Sequence, residues 1–415
     1  MKVLHVTTSS KGGAGIAAIR LHEALHKYNV KSAFVSANLA IDYNNKIISN
    51  SFFAYKRPNY FKKILNKLKK YYKKSEKEYF EKELKLLTNK INCEIATLPF
   101  SNYQLQNHPL YLEADIINLH WIDGIVDYPT FFSKSNKPII WTFHDMNPFM
   151  GIFHYHNDEV RNIEIASSLN FKIKEIKKNA ITKVKNGVVV TPSNWLLEEA
   201  KKNQVFSNFD KFCVPNSIDL DVFKVNDKNK LRDKYNIDKN DFAILFVSDS
   251  LTNNRKGYDL LVEALMLLKN QEVTLLTIGK GSLPFIENHK VIYLGEIYSS
   301  SKMAECYSLA DAFVLPSRED NLPNVMLESF ACGLPLVGFK VGGISEHVIE
   351  NHTGVLAKEI SAQSLAEAII NMKNNYANYN TQIIRKYAED SFNFQKQADS
   401  YLDLYDFILK QSGKV

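Results

Sequence analysis

Short runs rich in Val, Ile and Leu recur along the 415-residue chain and alternate with stretches of helical periodicity. They predict strands at 3–7, 33–37, 116–120, 138–143 and 187–191 in the first half of the chain, and at 243–248, 273–278, 291–294, 312–315 and 334–338 in the second. None of these runs alternates apolar with polar residues, which is typical of parallel strands buried on both faces. Their alternation with helices predicts a doubly wound α/β fold.

The strand and helix pattern occurs twice, so we predict two Rossmann-like domains that face each other, residues 1–216 and 217–392. A chain of 415 residues suits two cores of about 200 residues each. The boundary falls in the turn-rich stretch 214–217, and a last helix within 393–415 is predicted to cross back to the N-terminal domain. Ligands of doubly wound sheets bind beyond the carboxyl ends of the strands. Functional residues are therefore expected in the cleft between the domains.

Composition excludes several classes of protein. The chain is 45% hydrophobic and 23% charged, which is typical of folded proteins rather than disordered ones. Its apolar runs are far shorter than the roughly 18 residues needed to span a bilayer, and its first residues lack the apolar core of a secretory signal. The four cysteines include no CxxC pair, so neither a disulfide framework nor a zinc site is expected. We therefore expect a cytoplasmic protein.

A basic segment at 56–90 contributes much of the net charge of +7. Within it Phe61, Ile64, Leu65, Leu68 and Tyr72 fall at helical spacing, with lysines on the other face. Such a helix fits an anionic membrane surface, which would place the protein on the inner face of the plasma membrane. A solvated helix packed on its own domain is the alternative, and the sequence leaves both open. Nucleic acid is not expected as a partner, because no recognition motif accompanies the charge.

The most informative stretch, 313–337, reads as strand, loop, helix, glycine stop and strand. Asp320 lies in the loop and Glu328 one turn inside the helix. The helix start near Asn324 and Val325 offers unpaired backbone N–H groups, which bind anions. An anion site flanked by two carboxylates suits a sugar nucleotide, with phosphate on the amides and hydroxyls on the carboxylates. The alternative is a capping acid and a surface glutamate.

This stretch resembles glycosyltransferase family 4, whose members have the GT-B fold and retain anomeric configuration. The family signature has two acids separated by seven residues and followed by a small-residue helix, Gly and Pro. Asp320 and Glu328 have this separation, although the family usually has Glu first, and Glu319 could compete for that role. The resemblance implies that Asp320 holds sugar hydroxyls and Glu328 the nucleotide ribose. It also implies donor contacts along the loop and helix start, at Asn321, Leu322, Asn324 and Val325.

Arg255 and Lys256 follow a predicted strand and precede a helix, which places them at the cleft rim. A diphosphate leaving group needs fixed positive charge, and charge-assisted hydrogen bonds contribute about 1.5–3 kcal/mol each. Lys256 and Gly257 match the family, but Asp249 stands where many members have Arg. We infer that Arg255 takes over that charge; two solvated loop cations are the alternative.

Glycines mark further loops of the predicted donor site. Gly12, Gly13 and Gly15 follow the first strand, where the family has a glycine-rich loop close to the donor phosphates. The GxGxxG dinucleotide fingerprint is not met. By the same resemblance, Gly279, Gly281 and Leu294 belong to loops that hold the base.

Two histidines end predicted strands of the first domain. In the family a His at the position of His144 contacts the donor sugar, and we carry that role over. His120, Trp121 and Asp145 are predicted on the acceptor side. The Asp219–Asp221 and His154–His156 spacings formally allow a metal, but each pattern is common by chance and no metal is expected.

The resemblance spans nearly the whole chain. Its Gly-Gly-Ala, His-Trp-Ile and His-Asp-Met segments are similar to those of a subgroup that builds bacterial surface polysaccharides. It implies an N-terminal domain on the acceptor side and a C-terminal domain that binds the nucleotide-diphosphate sugar, with a glycan or lipid-linked oligosaccharide as acceptor and no further cofactor. Two alternatives remain: an NAD-dependent Rossmann oxidoreductase, and a non-catalytic scaffold at a membrane.

Overall fold

The computed structural model describes residues 1–37, 52–54, 75–268, 271–281 and 286–413. These residues form two parallel sheets with helices packed on them. The first sheet has the order β3-β2-β1-β4-β5-β6-β7, and its strands are β1 (Lys2–Thr7), β2 (Lys31–Ser36), β3 (Phe52–Ala54), β4 (Ile116–Leu119), β5 (Ile139–Thr142), β6 (Gly187–Thr191) and β7 (Asp210–Cys213). The second has the order β10-β9-β8-β11-β12-β13, and its strands are β8 (Ala243–Ser250), β9 (Thr274–Lys280), β10 (Lys290–Tyr293), β11 (Ala312–Leu315), β12 (Leu336–Phe339) and β13 (Gly354–Ala357).

The α-helices of the described residues connect these strands. In chain order they are α1 (Gly12–Lys27), α2 (Glu76–Leu87), α3 (Pro109–Glu113), α4 (Tyr128–Lys134), α5 (His156–Arg161), α6 (Ile163–Ile181), α7 (Asn194–Lys202), α8 (Lys228–Tyr235), α9 (Tyr258–Leu267), α10 (Ser300–Leu309), α11 (Asn324–Ala331), α12 (Ile344–His347), α13 (Ala362–Asn374), α14 (Thr381–Ser391) and α15 (Phe394–Gln411).

The predicted fold class is confirmed, and every predicted strand is present with its ends shifted by at most two residues. Three further strands, β3, β7 and β13, were not predicted. They are three or four residues long and lie at sheet edges. β7 carries Asp210 and Lys211, and β13 begins with Gly354, so neither has the long apolar run of a central strand.

Alternate residues of the first sheet fill two separate cores, as expected for a sheet covered on both faces. In β5, Ile139 and Trp141 join one core, whereas Ile140 joins the other. The second of these cores includes α15, which returns from the end of the chain to pack beside α1. Tyr401 of α15 shares a hydrogen bond of 2.8 Å with Thr142 of β5.

The two sheets meet through the loops at the carboxyl ends of their strands. Ser193, after β6, donates to Asn321, after β11, at 2.6 Å. Glu346 of α12 accepts from the backbone N–H of Asn194 at 3.0 Å and of Trp195 at 2.7 Å, so it caps α7 of the first domain. The surfaces on which doubly wound sheets bind ligands therefore face each other.

The basic segment lies partly outside the described residues. The predicted helix around 61–72 falls there, whereas α2 covers the following part of 56–90. Leu86, Lys82 and Lys85 of α2 are exposed and Phe80 is buried against the first domain. Among the helices of the described residues, none combines the length and apolarity required to cross a membrane.

Candidate active site

Arg255 and Lys256 lie in one 3₁₀ turn, Asn254–Lys256, directly after β8. The turn ends at Gly257, whose φ of 71° is in the left-handed region. A Cβ on Gly257 would lie 1.9 Å from the carbonyl oxygen of Pro316, so only glycine lets this turn pack against the loop after β11. Gly257 thus holds both predicted cations beside the loop that carries Asp320.

Asp320 is buried between these two cations. Its Oδ2 accepts from Lys256 Nζ at 2.7 Å, and its Oδ1 lies 3.2 Å from Arg255 Nη1. Burial alone would raise the pKa of Asp320, but the attraction of Lys256 and Arg255 outweighs it and lowers the pKa to about 2. Asp320 is therefore a permanent anion in the middle of the site.

Arg255 does not lie at the cleft rim, where the sequence predicted it, because its side chain is only 7% exposed. Its Nε and Nη2 donate to Glu94, and its Nη1 donates to the carbonyl oxygen of Glu319 at 3.0 Å. The guanidinium also lies 4.1 Å from the ring centroid of Tyr155. Glu94, a carboxylate of the N-terminal domain outside every motif, draws the arginine inward. Burial alone would raise the pKa of Glu94, but Arg255 outweighs it and the pKa is lowered.

We call Arg255, Lys256, Asp320 and Glu94 the ionic cluster, and its formal charges cancel. Lys256 is its most open cation, with a side chain 20% exposed. An ammonium group has three N–H donors, and Asp320 occupies one of them in the structure. Lys256 therefore keeps donors for a ligand, whereas the guanidinium of Arg255 is surrounded by protein.

Glu319, the neighbour of Asp320, is hydrogen-bonded to the N-terminal domain. Its carboxylate accepts from the backbone N–H of His156 at 3.0 Å and of Asn157 at 2.9 Å, at the start of α5. Burial raises the pKa of Glu319, and these two amides oppose the shift. Of the two adjacent acids, Asp320 is thus the one beside Lys256.

The start of α11 meets the glycine-rich loop of the other domain. Asn324 Nδ2 donates to the carbonyl oxygen of Gly13 at 2.8 Å, and its Oδ1 is buried without a partner among the described residues. A Cβ on Gly12 or Gly13 would meet nothing within 4 Å, whereas a Cβ on Gly15 would lie 2.5 Å from the Ser9 carbonyl oxygen. Gly15 therefore lets the loop pack, and Gly12 and Gly13 border open space. Helix α11 has no side-chain cap, so its first N–H groups add to this space.

Glu328 joins the domains through a residue that the sequence analysis missed. Its Oε1 accepts from Arg20 Nη2 of α1 at 2.8 Å, and its Oε2 accepts from the Tyr307 hydroxyl at 2.9 Å. Arg20 is buried, and its Nη1 has no hydrogen-bond partner within the described ranges. The only signal in the sequence was a charged residue in the otherwise apolar stretch 16–21.

Three histidines of adjacent strands form a chain, which we call the histidine row. His5 of β1 and His120 after β4 have Nδ1 and Nε2 3.0 Å apart. His120 Nδ1 is in turn 3.1 Å from Nε2 of His144, after β5. Burial lowers the pKa of His5 to about 3 and that of His144 to about 4, so the row is neutral at pH 7. His5 was not predicted as a site residue, because it lies inside a strand rather than at its end.

A second ion pair, between Asp145 and His154, lies inside the N-terminal domain, and Trp121 lies beside it. Asp145 Oδ2 lies 2.7 Å from His154 Nδ1. Burial would lower the pKa of His154, but Asp145 outweighs it and the pKa is raised. The half-buried Trp121 ring lies 5.7 Å from that of His154. Asp145 is thus paired with His154 inside the N-terminal domain. Trp121 and His144 are the more accessible of the residues predicted here.

The predicted base loops are also brought together. Gly279 N–H donates to the carbonyl oxygen of Gly295 at 3.1 Å, next to Leu294, and the φ angles of Gly279 and Gly281 are 140° and 148°. In the acid loop, Asn321 Nδ2 donates to the His144 carbonyl oxygen at 3.2 Å. Leu322 is buried in the core of the second domain, and Val325 packs partly against it, so their side chains stabilise the loop.

The arrangement of two facing Rossmann-like domains with cations, carboxylates and glycine loops between them is the GT-B fold. A solved structure of this shape is Anabaena Alr3699/HepE in complex with UDP, which aligns with a TM-score of 0.65 over 98% of this chain and 100% of that one, at 16% identity. Residues 241–375, about a third of the chain, match the family model Glycosyl transferases group 1. That match covers the second sheet and the ionic cluster except for Glu94.

Several curated proteins similar to this chain are named as glycosyltransferases or as a glycosyl-compound synthase. One is N-acetyl-alpha-D-glucosaminyl L-malate synthase of Bacillus anthracis, 25% identical over 241 residues, which cover 55% of this chain and 62% of that protein. Another is the putative teichuronic acid biosynthesis glycosyltransferase TuaC of Bacillus subtilis, 31% identical over 185 residues, which cover 44% and 46%. The chain thus spans roughly half the length of these relatives.

Proposed function

We propose that the chain is a retaining glycosyltransferase that moves a hexosyl group from a nucleotide-diphosphate sugar to a glycan or lipid-linked oligosaccharide acceptor in surface polysaccharide synthesis. The observation that carries the proposal is the meeting of three features: Lys256 with open donors, the uncapped start of α11, and the open space beside Gly12 and Gly13. The Lys256 ammonium and the α11 amides stabilise a diphosphate, the two glycines leave room for it, and together the three features come from both domains. The family match over 241–375 and the UDP in the Anabaena structure agree with it.

In the proposed reaction the bond between C1 of the sugar and the phosphate oxygen breaks, and the acceptor hydroxyl bonds to C1 on the same face. The proton of that hydroxyl passes to the departing phosphate oxygen, so neither a protein nucleophile nor a resident metal is required. The protein contributes positioning and charge. Lys256 and the α11 amides stabilise the diphosphate as its negative charge grows. Asp320, whose oxygens also accept from Ser317 and Asn321, holds Lys256 in place.

Glu328 and Arg20 are assigned to the nucleoside. The Glu328 carboxylate accepts hydrogen bonds from hydroxyls of the ribose in this proposal, and Arg20 holds that carboxylate aligned across the domain boundary. The unpartnered Arg20 Nη1 and Asn324 Oδ1 are hydrogen-bonding groups that a bound nucleotide would satisfy. On the N-terminal side, His144 contacts the donor sugar, and Trp121 with its neighbours lines the approach of the acceptor.

Membrane contact through 56–90 belongs to the same proposal. A lipid-linked acceptor is presented at a membrane surface, and the exposed Leu86, Lys82 and Lys85 of α2 continue the basic segment. Apolar and basic side chains on one exposed surface bind anionic lipid headgroups.

A donor screen tests the reaction. The whole protein is mixed with UDP-glucose, UDP-N-acetylglucosamine, GDP-mannose, ADP-glucose or NAD, and both thermal stabilisation and release of nucleotide diphosphate are measured, with and without EDTA. One nucleotide sugar is expected to raise Tm and to be turned over, and NMR of the product is expected to show retained anomeric configuration. Stabilisation by NAD alone would favour the oxidoreductase, and no turnover with any donor would favour the scaffold.

Lys256→Ala is expected to lower turnover of that donor by about a hundredfold, because one preorganised charge on the leaving group is lost. Lys239→Ala is the matched control. Lys239 is an exposed lysine of the same domain, but it precedes β8 and so lies at the opposite end of the sheet. A folded Lys256→Ala enzyme with the turnover of the control would refute the assignment of Lys256.

A further inference from the structure

The histidine row joins the interior of the first sheet to the junction between the domains. β1, β4 and β5 are neighbours, so each contributes one imidazole to the chain. The rings of His5 and His120 have centroids 5.3 Å apart, and those of His120 and His144 are 5.4 Å apart. At the outer end, His144 is half-buried and its carbonyl oxygen accepts from Asn321 of the second domain.

Neutral imidazoles in such a chain cannot choose their tautomers independently. A neutral imidazole has one N–H and one lone pair, and each N···N contact needs one of each. If His120 carries its hydrogen on Nδ1, it donates to His144 Nε2, and His144 must carry its own hydrogen on Nδ1. His120 Nε2 then accepts, so His5 must also be protonated on Nδ1. The opposite arrangement places all three hydrogens on Nε2.

The inner end of the row decides between these two arrangements. His5 Nε2 is buried and has no hydrogen-bond partner in the described part of the chain. In the second arrangement this nitrogen would carry a buried N–H without an acceptor, whereas in the first it is an unused lone pair. Orphaned buried N–H groups are rarer in proteins than under-used acceptors. The first arrangement is therefore favoured, with donation running from His5 to His120 to His144.

We propose that His120, with His5 as the terminal donor, is a positioning residue that fixes His144 as the Nδ1–H tautomer, so that His144 presents an N–H to an acceptor oxygen at the domain junction. Nδ1 of His144 has no hydrogen-bond partner among the described residues, so this donor is available. The ligand is an oxygen with lone pairs, and under the proposed function it is a hydroxyl of the donor sugar. His144 then orients the sugar as a donor and takes no part as a base.

The tautomers are read directly by long-range ¹H–¹⁵N correlation spectra of the whole protein labelled with ¹⁵N-histidine, at pH 7 and without ligand. All three rings of the row are expected to show a protonated Nδ1 and an unprotonated Nε2, with scalar coupling across both N–H···N bonds. A protonated Nε2 on any of the three rings would overturn the proposal.

Two variants of one residue separate positioning from packing. His120→Asn keeps a side-chain N–H near the place of Nδ1 and is expected to preserve the Nδ1–H tautomer of His144. His120→Leu removes that donor, so the Nε2–H tautomer of His144 is expected to appear. An unchanged His144 tautomer in His120→Leu would contradict the proposal.

His22→Phe is the matched control, because this buried ring lies 5.7 Å from His5 but outside the row. It is expected to leave the His144 tautomer unchanged. Far-UV circular dichroism and thermal melting check that each variant is folded, and the wild-type spectrum tests the proposal even if a variant is not.

The catalytic consequence is measured separately. In His120→Leu, kcat/KM for the donor is expected to fall about tenfold, the equivalent of one hydrogen bond, and to recover in His120→Asn. If the tautomer changes but kcat/KM does not, the row is as proposed and the contact of His144 with the donor sugar is wrong.

Discussion

The ionic cluster joins the second domain to Glu94 of the first, whereas the histidine row lies within the first domain, and each contains a buried titratable group, Asp320 or His5. In the ionic cluster the pKa of Asp320 is lowered to about 2 and that of Glu94 is also lowered, because opposite charges outweigh burial. In the histidine row the pKa of His5 falls to about 3, because burial acts there without a counter-charge in contact. The buried Asp320 is therefore ionised and the buried His5 is neutral, and the presence of a partner charge decides which.

This difference matches what a sugar-nucleotide site requires. A diphosphate leaving group needs fixed positive charge, and Lys256 of the ionic cluster provides it. Sugar hydroxyls are neutral and are oriented by neutral donors and acceptors, which the histidine row provides through His144.

The largest expected effect is on stability. Arg255→Ala removes one of the two cations beside the buried Asp320 and the partner of Glu94, so the free energy of unfolding is expected to fall by about 3–5 kcal/mol. Urea unfolding at pH 7 measures it. Arg318→Ala is the control from a neighbouring loop, because Arg318 pairs with the half-exposed Asp259 and should cost about 1 kcal/mol or less. Equal losses in the two variants would show that the ionic cluster is no more than a surface network.

The residues that sequence reasoning missed share one property, namely partners far away in the chain. The predicted strands depend on apolar runs of a few residues, and each was found. Lys256 and Asp320 could both be predicted at the cleft because each follows a strand of the second sheet. Arg20 contacts Glu328 across 308 residues, and Glu94 contacts Arg255 across 161. No local pattern marks such pairs, because the relative placement of two domains creates them.

The same limit applies to charge states. The sequence indicated histidines at the ends of two strands, but His5 and His120 are 115 residues apart, and only the order of the strands brings them into contact. Arg255 was predicted at the rim from its loop position. Its burial depends on Glu94, which no motif includes.

The second prediction concerns pH. The pKa of His5 is about 3 in the fold against an ordinary value of 6.5, so from pH 6.5 downwards the unfolded chain binds a proton that the folded chain does not. Stability must therefore fall as the pH falls below 6.5, by about 2 kcal/mol from this residue at pH 5. The pKa of Asp320 is lowered too, from its ordinary 3.8, so its contribution to stability has the same sign, but it is lost only as the pH falls from about 3.8 towards 2.

Urea unfolding of the wild type and His5→Leu at pH 7 and pH 5 measures the contribution of His5. The variant lacks the titrating group, so its loss between the two pH values is expected to be smaller by about 2 kcal/mol. Equal losses in the two proteins would mean that His5 is not the buried neutral imidazole that the comparison requires.

The smallest expected effect is the most specific for the ionic cluster. Glu94→Gln keeps an oxygen that accepts from Arg255 but removes one negative charge, so the formal charge of the cluster rises from zero to +1. Stability is expected to fall by about 1 kcal/mol, because a charge-assisted hydrogen bond becomes an ordinary one. Binding of UDP, GDP or ADP, whichever the donor screen selects, is expected to tighten about threefold, since the added charge is partly screened by solvent.

Calorimetric titration of that nucleotide diphosphate against Glu94→Gln measures this change. Glu113→Gln is the matched control, because Glu113 pairs with Lys2 on the exposed surface of the same domain. The control is expected to bind as the wild type does. If Glu94→Gln binds no more tightly than the control, the ionic cluster does not face the diphosphate. Its charges would then serve to join the two domains, and Lys256 would lose its proposed role together with them.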